Sequence, residues 1–352
     1  MGFLDENYLL ENKPAEKLYS KVKDLPILDA HNHANLNEIT NNIGWEDIWE
    51  VEAETDHYVW ELMRKRGVPE KKITGEATNY EKWKALCEVF PEFATNPTYE
   101  WIHLDLKRRF GIDKLICSEN ADEIWEETKE KLSQENFKPQ PLLNEMNVDI
   151  LCTTDDPTMS LEYHKQMQEN LEDTTVLPTW RPDKITNIDS ATWLEDVQNL
   201  GKETETEIVD ISDLLSALQK THDYFDKMGC VASDHGVEQP YAYEVNKVTA
   251  DRILNKALNK EKLKDKEICD YKAYMTHFYA ELNSQSDWVM QLHIGAVRDY
   301  RDKLYKNLGP DSGGDISTQD IEFVDNLKDL LNKYDEKLEI VLYCLDHPIY
   351  LL

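Results

Sequence analysis

His31 and His33 stand one residue apart in the stretch PILDAHNHANL, Pro26 to Leu36, where an apolar run ends in an acid and two imidazoles. Successive side chains of a strand point to opposite faces, so Asp29, His31 and His33 share one side and Ala30 and Asn32 the other. Two imidazoles so spaced at a strand end can hold a divalent metal through neutral ring nitrogens. The competing reading is a pair of strand-end histidines bonded to nearby loops. His293, in MQLHIG, offers a third ligand from another strand, and His235, in SDHG, competes for that role or orients a substrate hydroxyl. Arg181 follows a further apolar run in TWRPD, where Pro182 keeps the chain extended. Its guanidinium can grip a carboxylate at two points or can pair with Asp183. Arg298 is a second candidate for that grip. His57 and Tyr58, in a DHY sequence opening a helical stretch, offer hydroxyl contacts, with core packing as the plainer alternative for Tyr58.

These groups need elements to bring them together. Six short apolar runs recur along the chain, at 26–31, 148–156, 174–183, 229–236, 287–295 and 338–347, separated by Lys/Glu-rich stretches of helical character. Strands alternating with helices imply βαβ units and a parallel sheet, whose ligand sites lie at the carboxyl ends of the strands. Each run ends in such residues: His31 and His33, Asp155 and Asp156, Arg181 and Asp183, Asp234 and His235, His293, and Asp346 and His347. Asp155 and Asp156 read as structural, capping the following helix or bracing Arg or His side chains. Residues 34–147 read as a helical insertion after the first strand, 237–286 as a helical cover, and 1–352 as one domain. In ENADEIWEETKEKL, Asn120 is placed to cap a helix with Glu123 at its third position. GPDSGGD at 309–315 reads as a turn-rich loop.

The formal net charge of −31 excludes a nucleic-acid backbone as partner, because that binding needs basic side chains on phosphates. An anionic substrate would need local arginines. The six cysteines form no C-x-x-C pair, which fits a reduced, cytoplasmic protein. The N-terminal residues carry acids where a signal peptide has basic and apolar ones, and no run reaches membrane-spanning length. No G-x-G-x-x-G, P-loop or G-x-S-x-G sequence is present.

LDAHNHAN resembles the first-strand H-x-H of the amidohydrolase superfamily, whose fold is a TIM-type (β/α)8 barrel. FLDENYLL, DHYVWELMRKRGV, ITGEATNYEKW, NPTYEWIHLDLKRRFGI, LCTTDDP, LPTWRPDK, SDHG and LHIGAVRDYR are similar, in order, to the bacterial uronate isomerase family. The resemblance implies interconversion of D-glucuronate with D-fructuronate and of D-galacturonate with D-tagaturonate. It implies metal ligation by His31 and His33, with zinc the usual ion, substrate contacts from His57, Tyr58 and Arg181, and places in the site for His293 and Arg298. The residues read by themselves add His293 to the metal set and His235 to the substrate contacts. Tyr58, His293 and Arg298 are the catalytic candidates, and Arg181 is the first choice for the C6 carboxylate. Such an isomerisation moves a proton between C2 and C1 through an enediol, so it needs a base and an oxyanion stabiliser.

The runs supply six strands, whereas the family barrel has eight. The family's eighth strand carries an Asp, both ligand and leading base, followed by an Arg. The closing HPIYLL also drifts from the family pattern. The expectation is a barrel truncated after the sixth strand, with open edges, aggregation and little isomerase activity. A metal-dependent hydrolase of the amidohydrolase kind and a non-catalytic uronate-binding remnant are the rival readings. A homo-oligomer stays compatible with all three.

Overall fold

The computed structural model describes residues 3–317 and 321–345. Asp346, His347 and the rest of the closing HPIYLL lie outside the described residues. Six strands form where the apolar runs predict them: β1 (Ile27–Asp29), β2 (Val148–Cys152), β3 (Thr175–Leu177), β4 (Ala232–Val237), β5 (Val289–Ile294) and β6 (Ile340–Cys344). β1, β2 and β3 are neighbours in that order, as are β4, β5 and β6. Parallel bridges from Trp180 to Asp155 and to Ser233 join the two groups. Trp180 N donates to Ala232 O at 3.2 Å, and Asp234 N donates to Trp180 O at 3.0 Å. The pairings of β2 with β3, β4 with β5 and β5 with β6 are all parallel. The α/β reading therefore stands. A short antiparallel pair, Ala296–Val297 with Ile316–Ser317, was not anticipated, because two-residue strands leave no periodic signal.

The chain divides into two compact units. One comprises 1–27, 35–149 and 298–315. Every element between β1 and β2 is helical, and Trp49, Trp83, Leu86, Phe90 and Leu106 form a core among these helices. Thr78 and Glu81 cap helix Asn79–Val89 reciprocally. Asn120 behaves otherwise than expected. It sits at the N-cap position but makes no capping bond, since its amide turns back to donate to Leu115 O at 2.8 Å. Glu123 is drawn to Lys114 at 2.9 Å.

The other unit comprises 28–34, 150–297 and 316–352 and contains most of the sheet. Helices Ile211–Lys227, Lys247–Leu258 and Asp265–Ser286 contribute to its core, with Trp180, Phe225, Tyr271, Tyr279 and Leu292 buried among them. Each such large side chain contributes roughly 1.5–3 kcal/mol by leaving water. The last two of those helices occupy most of the expected 237–286 cover. Cys87, Cys152 and Cys230 are buried free thiols. Among the described residues no helix is long and apolar enough to cross a membrane.

Candidate metal and substrate-binding residues

The register of the sheet decides which side chains meet. Asp234 pairs opposite Gln291 and Gly236 opposite His293, and His293 in turn opposite Tyr343. Neighbours in register share a face, so Asp234 and His293 lie on one face of the sheet. His31, just past the end of β1, joins them. One ligand atom from each of His31, Asp234 and His293 falls within 4.8 Å of the others. Asp234 Oδ1 bonds His293 Nδ1 at 2.6 Å. The rings of His31 and His293 lie 4.3 Å apart, and Tyr343 stacks on His293 at 4.5 Å. Tyr343 is held by donating its hydroxyl to Gln291 Oε1 at 2.8 Å.

The donor set suits a divalent cation. His31 Nδ1 and Asp234 Oδ2 are buried without hydrogen bonds and face each other at 3.8 Å, too far for a hydrogen bond. A cation held by both would give His31 Nδ1 the partner it lacks, while Asp234 Oδ2 also faces the Arg181 guanidinium at 3.2 Å. Burial pushes the His31 imidazole down to about 4, against the upward pull of Asp234. It is therefore a neutral donor at pH 7. Burial alone would raise the Asp234 carboxyl, but the bond to His293 and the Arg181 charge hold it below its usual value.

The metal set thus differs from the sequence-based one. Asp234 stands in the group, while His33 stands beside it, its Nε2 3.1 Å from that of His31. His235 does not share the cluster's face. Strand alternation turns it the other way, where its Nε2 bonds Ser233 Oγ at 2.7 Å and its ring stacks on Tyr279 at 5.1 Å. Burial lowers it to about 3. This placement argues against the substrate contact expected of His235. Arg181 is present at the site in the alternative use considered for it: Nε donates to Asp183 Oδ2 at 2.7 Å, and Nη1 lies 3.2 Å from Asp234 Oδ2. Asp155 is buried and braces the strand ends, accepting from Thr153 Oγ1 at 2.6 Å and from Thr179 N at 3.2 Å.

His57, Tyr58 and Arg298 belong to the helical unit. Asp56 caps Tyr58 N and Val59 N, which sets His57 and Tyr58 on the first turn of helix His57–Lys65. Their rings lie 4.3 Å apart, and Tyr58 is exposed. Arg298 Nη1 donates to Asp315 Oδ2 at 2.7 Å, and His57 Nε2 stands 3.9 Å from the same oxygen. Asp315 therefore gathers two of the expected substrate residues. It was not singled out from sequence, being one of two acids in a glycine-rich loop. Tyr343 was likewise missed, since a tyrosine in an apolar strand reads as packing.

A parallel α/β sheet with two imidazoles and a buried carboxylate on one face has the layout and donor set of a metal-dependent α/β enzyme. The glucuronate isomerase family model matches residues 1–351. The uronate isomerase of Thermotoga petrophila is 54% identical over 344 residues, covering 98% of this chain and 76% of that protein. The uronate isomerase structure from Thermotoga maritima superposes with a TM-score of 0.96 at 52% identity, covering 100% of this chain and 77% of that one. The glucuronate isomerase of Caulobacter crescentus gives a TM-score of 0.90 at 26% identity, over 95% and 71% of the respective chains. The chain belongs to the uronate isomerase family, whose members are aldose–ketose isomerases.

Proposed function

We propose that this chain interconverts hexuronates and their ketouronates, D-glucuronate with D-fructuronate and D-galacturonate with D-tagaturonate, by proton transfer through an enediol. The observation that carries the reading is the grouping of His31, Asp234 and His293. On this reading the six strands are consecutive strands of an amidohydrolase-type barrel. The group holds a divalent cation, zinc by family resemblance, with His33 beside it. A bound cation would supply a Lewis acid for the substrate oxygen that gains charge in the enediol.

The protein's own groups have separable tasks. Asp234, ionised and bonded to His293 Nδ1, fixes that ring so that Nε2 is its remaining nitrogen for ligation or proton transfer. The exposed hydroxyl of Tyr58 donates to a substrate oxygen, and His57, with its Nε2 lacking a hydrogen bond, takes a substrate hydroxyl. Arg181 is the cation assigned to the C6 carboxylate, with Arg298 the alternative. Arg181 would share its guanidinium with Asp183 and Asp234. Local cations are required because the whole chain, at −31, repels an anion.

The test is product analysis on the purified chain with zinc supplied. Appearance of ketouronate from D-glucuronate or D-galacturonate supports the isomerase reading. Uronate binding without turnover favours the binding remnant. Consumption of water with cleavage of an amide or ester would overturn the isomerase reading in favour of a hydrolase.

A further inference from the structure

Arg181 is held on more sides than one ion pair requires. Its Nε donates to Asp183 Oδ2 at 2.7 Å, while Nη1 lies 3.2 Å from Asp234 Oδ2. Asp183 also accepts the Gly236 backbone N–H, with its two oxygens at 3.2 and 3.0 Å. The guanidinium therefore lies across the backbone of β4. A Cβ at position 236 would stand 2.7 Å from Arg181 Nη2 and 3.0 Å from Asp183 Oδ2. No neighbour could be accommodated at the first of those distances without moving the guanidinium. Gly236 has no left-handed backbone to maintain, so its missing side chain serves the close approach itself.

We infer that Asp183 and Gly236 are positioning residues that lay Arg181 against Asp234 and thereby set how tightly the site holds a divalent cation. The inference rests on the metal reading of His31, Asp234 and His293. Asp234 has one oxygen committed to His293 and the other facing His31, so a small rotation of the carboxylate would spoil both contacts. Arg181 reaches the second oxygen from the side of Asp183 and limits that rotation. Groups that orient a ligand in this way act on affinity without touching the ion.

The experiment measures zinc affinity of the whole 352-residue chain by competition with a chromophoric chelator, beside the urea midpoint of each metal-free protein. Asp183→Asn keeps the size but weakens the hold on Nε, and Gly236→Ala pushes Nη2 away. Each is expected to lower zinc affinity about tenfold in a metal-free protein that still shows a cooperative urea transition, its midpoint lowered by the weakened contacts. In an Arg181→Lys background, Gly236→Ala should cost little further, because the group it displaces is gone. Unchanged or raised affinity in folded variants would overturn the inference, as would an equal further loss in the Arg181→Lys background. If Gly236→Ala fails to fold, Asp183→Asn decides alone. A wild-type chain that binds no zinc overturns the metal reading itself, and the clamp with it.

Discussion

Asp234 and His235 are adjacent in sequence and opposite in chemistry. On one face of the sheet, Asp234 meets His31 and His293, with His31 Nδ1 facing Asp234 Oδ2 at 3.8 Å. On the other, His235 bonds Ser233, whose hydroxyl accepts from Asn283 Nδ2 at 2.6 Å, and stacks on Tyr279. His222 is a second core imidazole, stacked on Trp288 at 3.8 Å and lowered by burial to about 4. Burial lowers His31 as it lowers His235 and His222, so the direction of titration does not separate the two faces. Company does: the ligand-type rings lie beside one another and a carboxylate, whereas the core rings are each enclosed by aromatic and polar neighbours.

That contrast can be broken or sharpened by substitution. Trp180 is fully buried and carries the bridges joining the two strand groups. Trp180→Ala should therefore destabilise by about 3–5 kcal/mol, read from urea unfolding. A cost below 1 kcal/mol would mean that the buried indole does not hold the core at this junction, whose main-chain bridges survive the substitution. Next, His31→Asn should lower zinc affinity more than about a hundredfold, while His235→Gln leaves it unchanged by chelator competition. Equal losses would erase the distinction between the faces.

The core histidines also predict a pH dependence. His235 and His222 have folded values below the ordinary imidazole value. Their stabilising contribution is fully present above about pH 6.5 and is lost as the pH falls toward the folded values, because the unfolded chain binds protons first. One imidazole held that low accounts for ~2 kcal/mol of lost stability between pH 7 and pH 5. His235→Gln should flatten the curve by that amount, and an unchanged slope would place the titrating group elsewhere. The smallest effect is expected in the helical unit. Arg298→Ala should weaken D-glucuronate binding about tenfold, the scale of one charge-assisted contact, with zinc affinity unchanged by the same competition assay.

The six strands were legible because strands of a parallel sheet read as continuous apolar runs, although Ile27 and Leu28 of β1 and Val341 and Leu342 of β6 are exposed. The pairing of His31 with His293 was legible because both lie at strand ends. Asp234 was not, and the reason is local. In ASDHGV the apolar residues stand at the ends and small or polar ones between, so no alternation announces which parity faces the site. Packing settles it, through Ser233 against Asn283 and His235 against Tyr279. The Asn120 cap failed for a related reason, since Leu115 O and Lys114 offered nearer partners than the helix N-terminus.

The central claim is that His31, Asp234 and His293 form one metal-binding group. Zinc-edge X-ray absorption on the zinc-loaded chain tests it most directly. The account predicts a first shell of nitrogen and oxygen only, with imidazole scattering that diminishes in His31→Asn. Sulfur in the shell from any of the six cysteines, or a spectrum unchanged in His31→Asn, would contradict it.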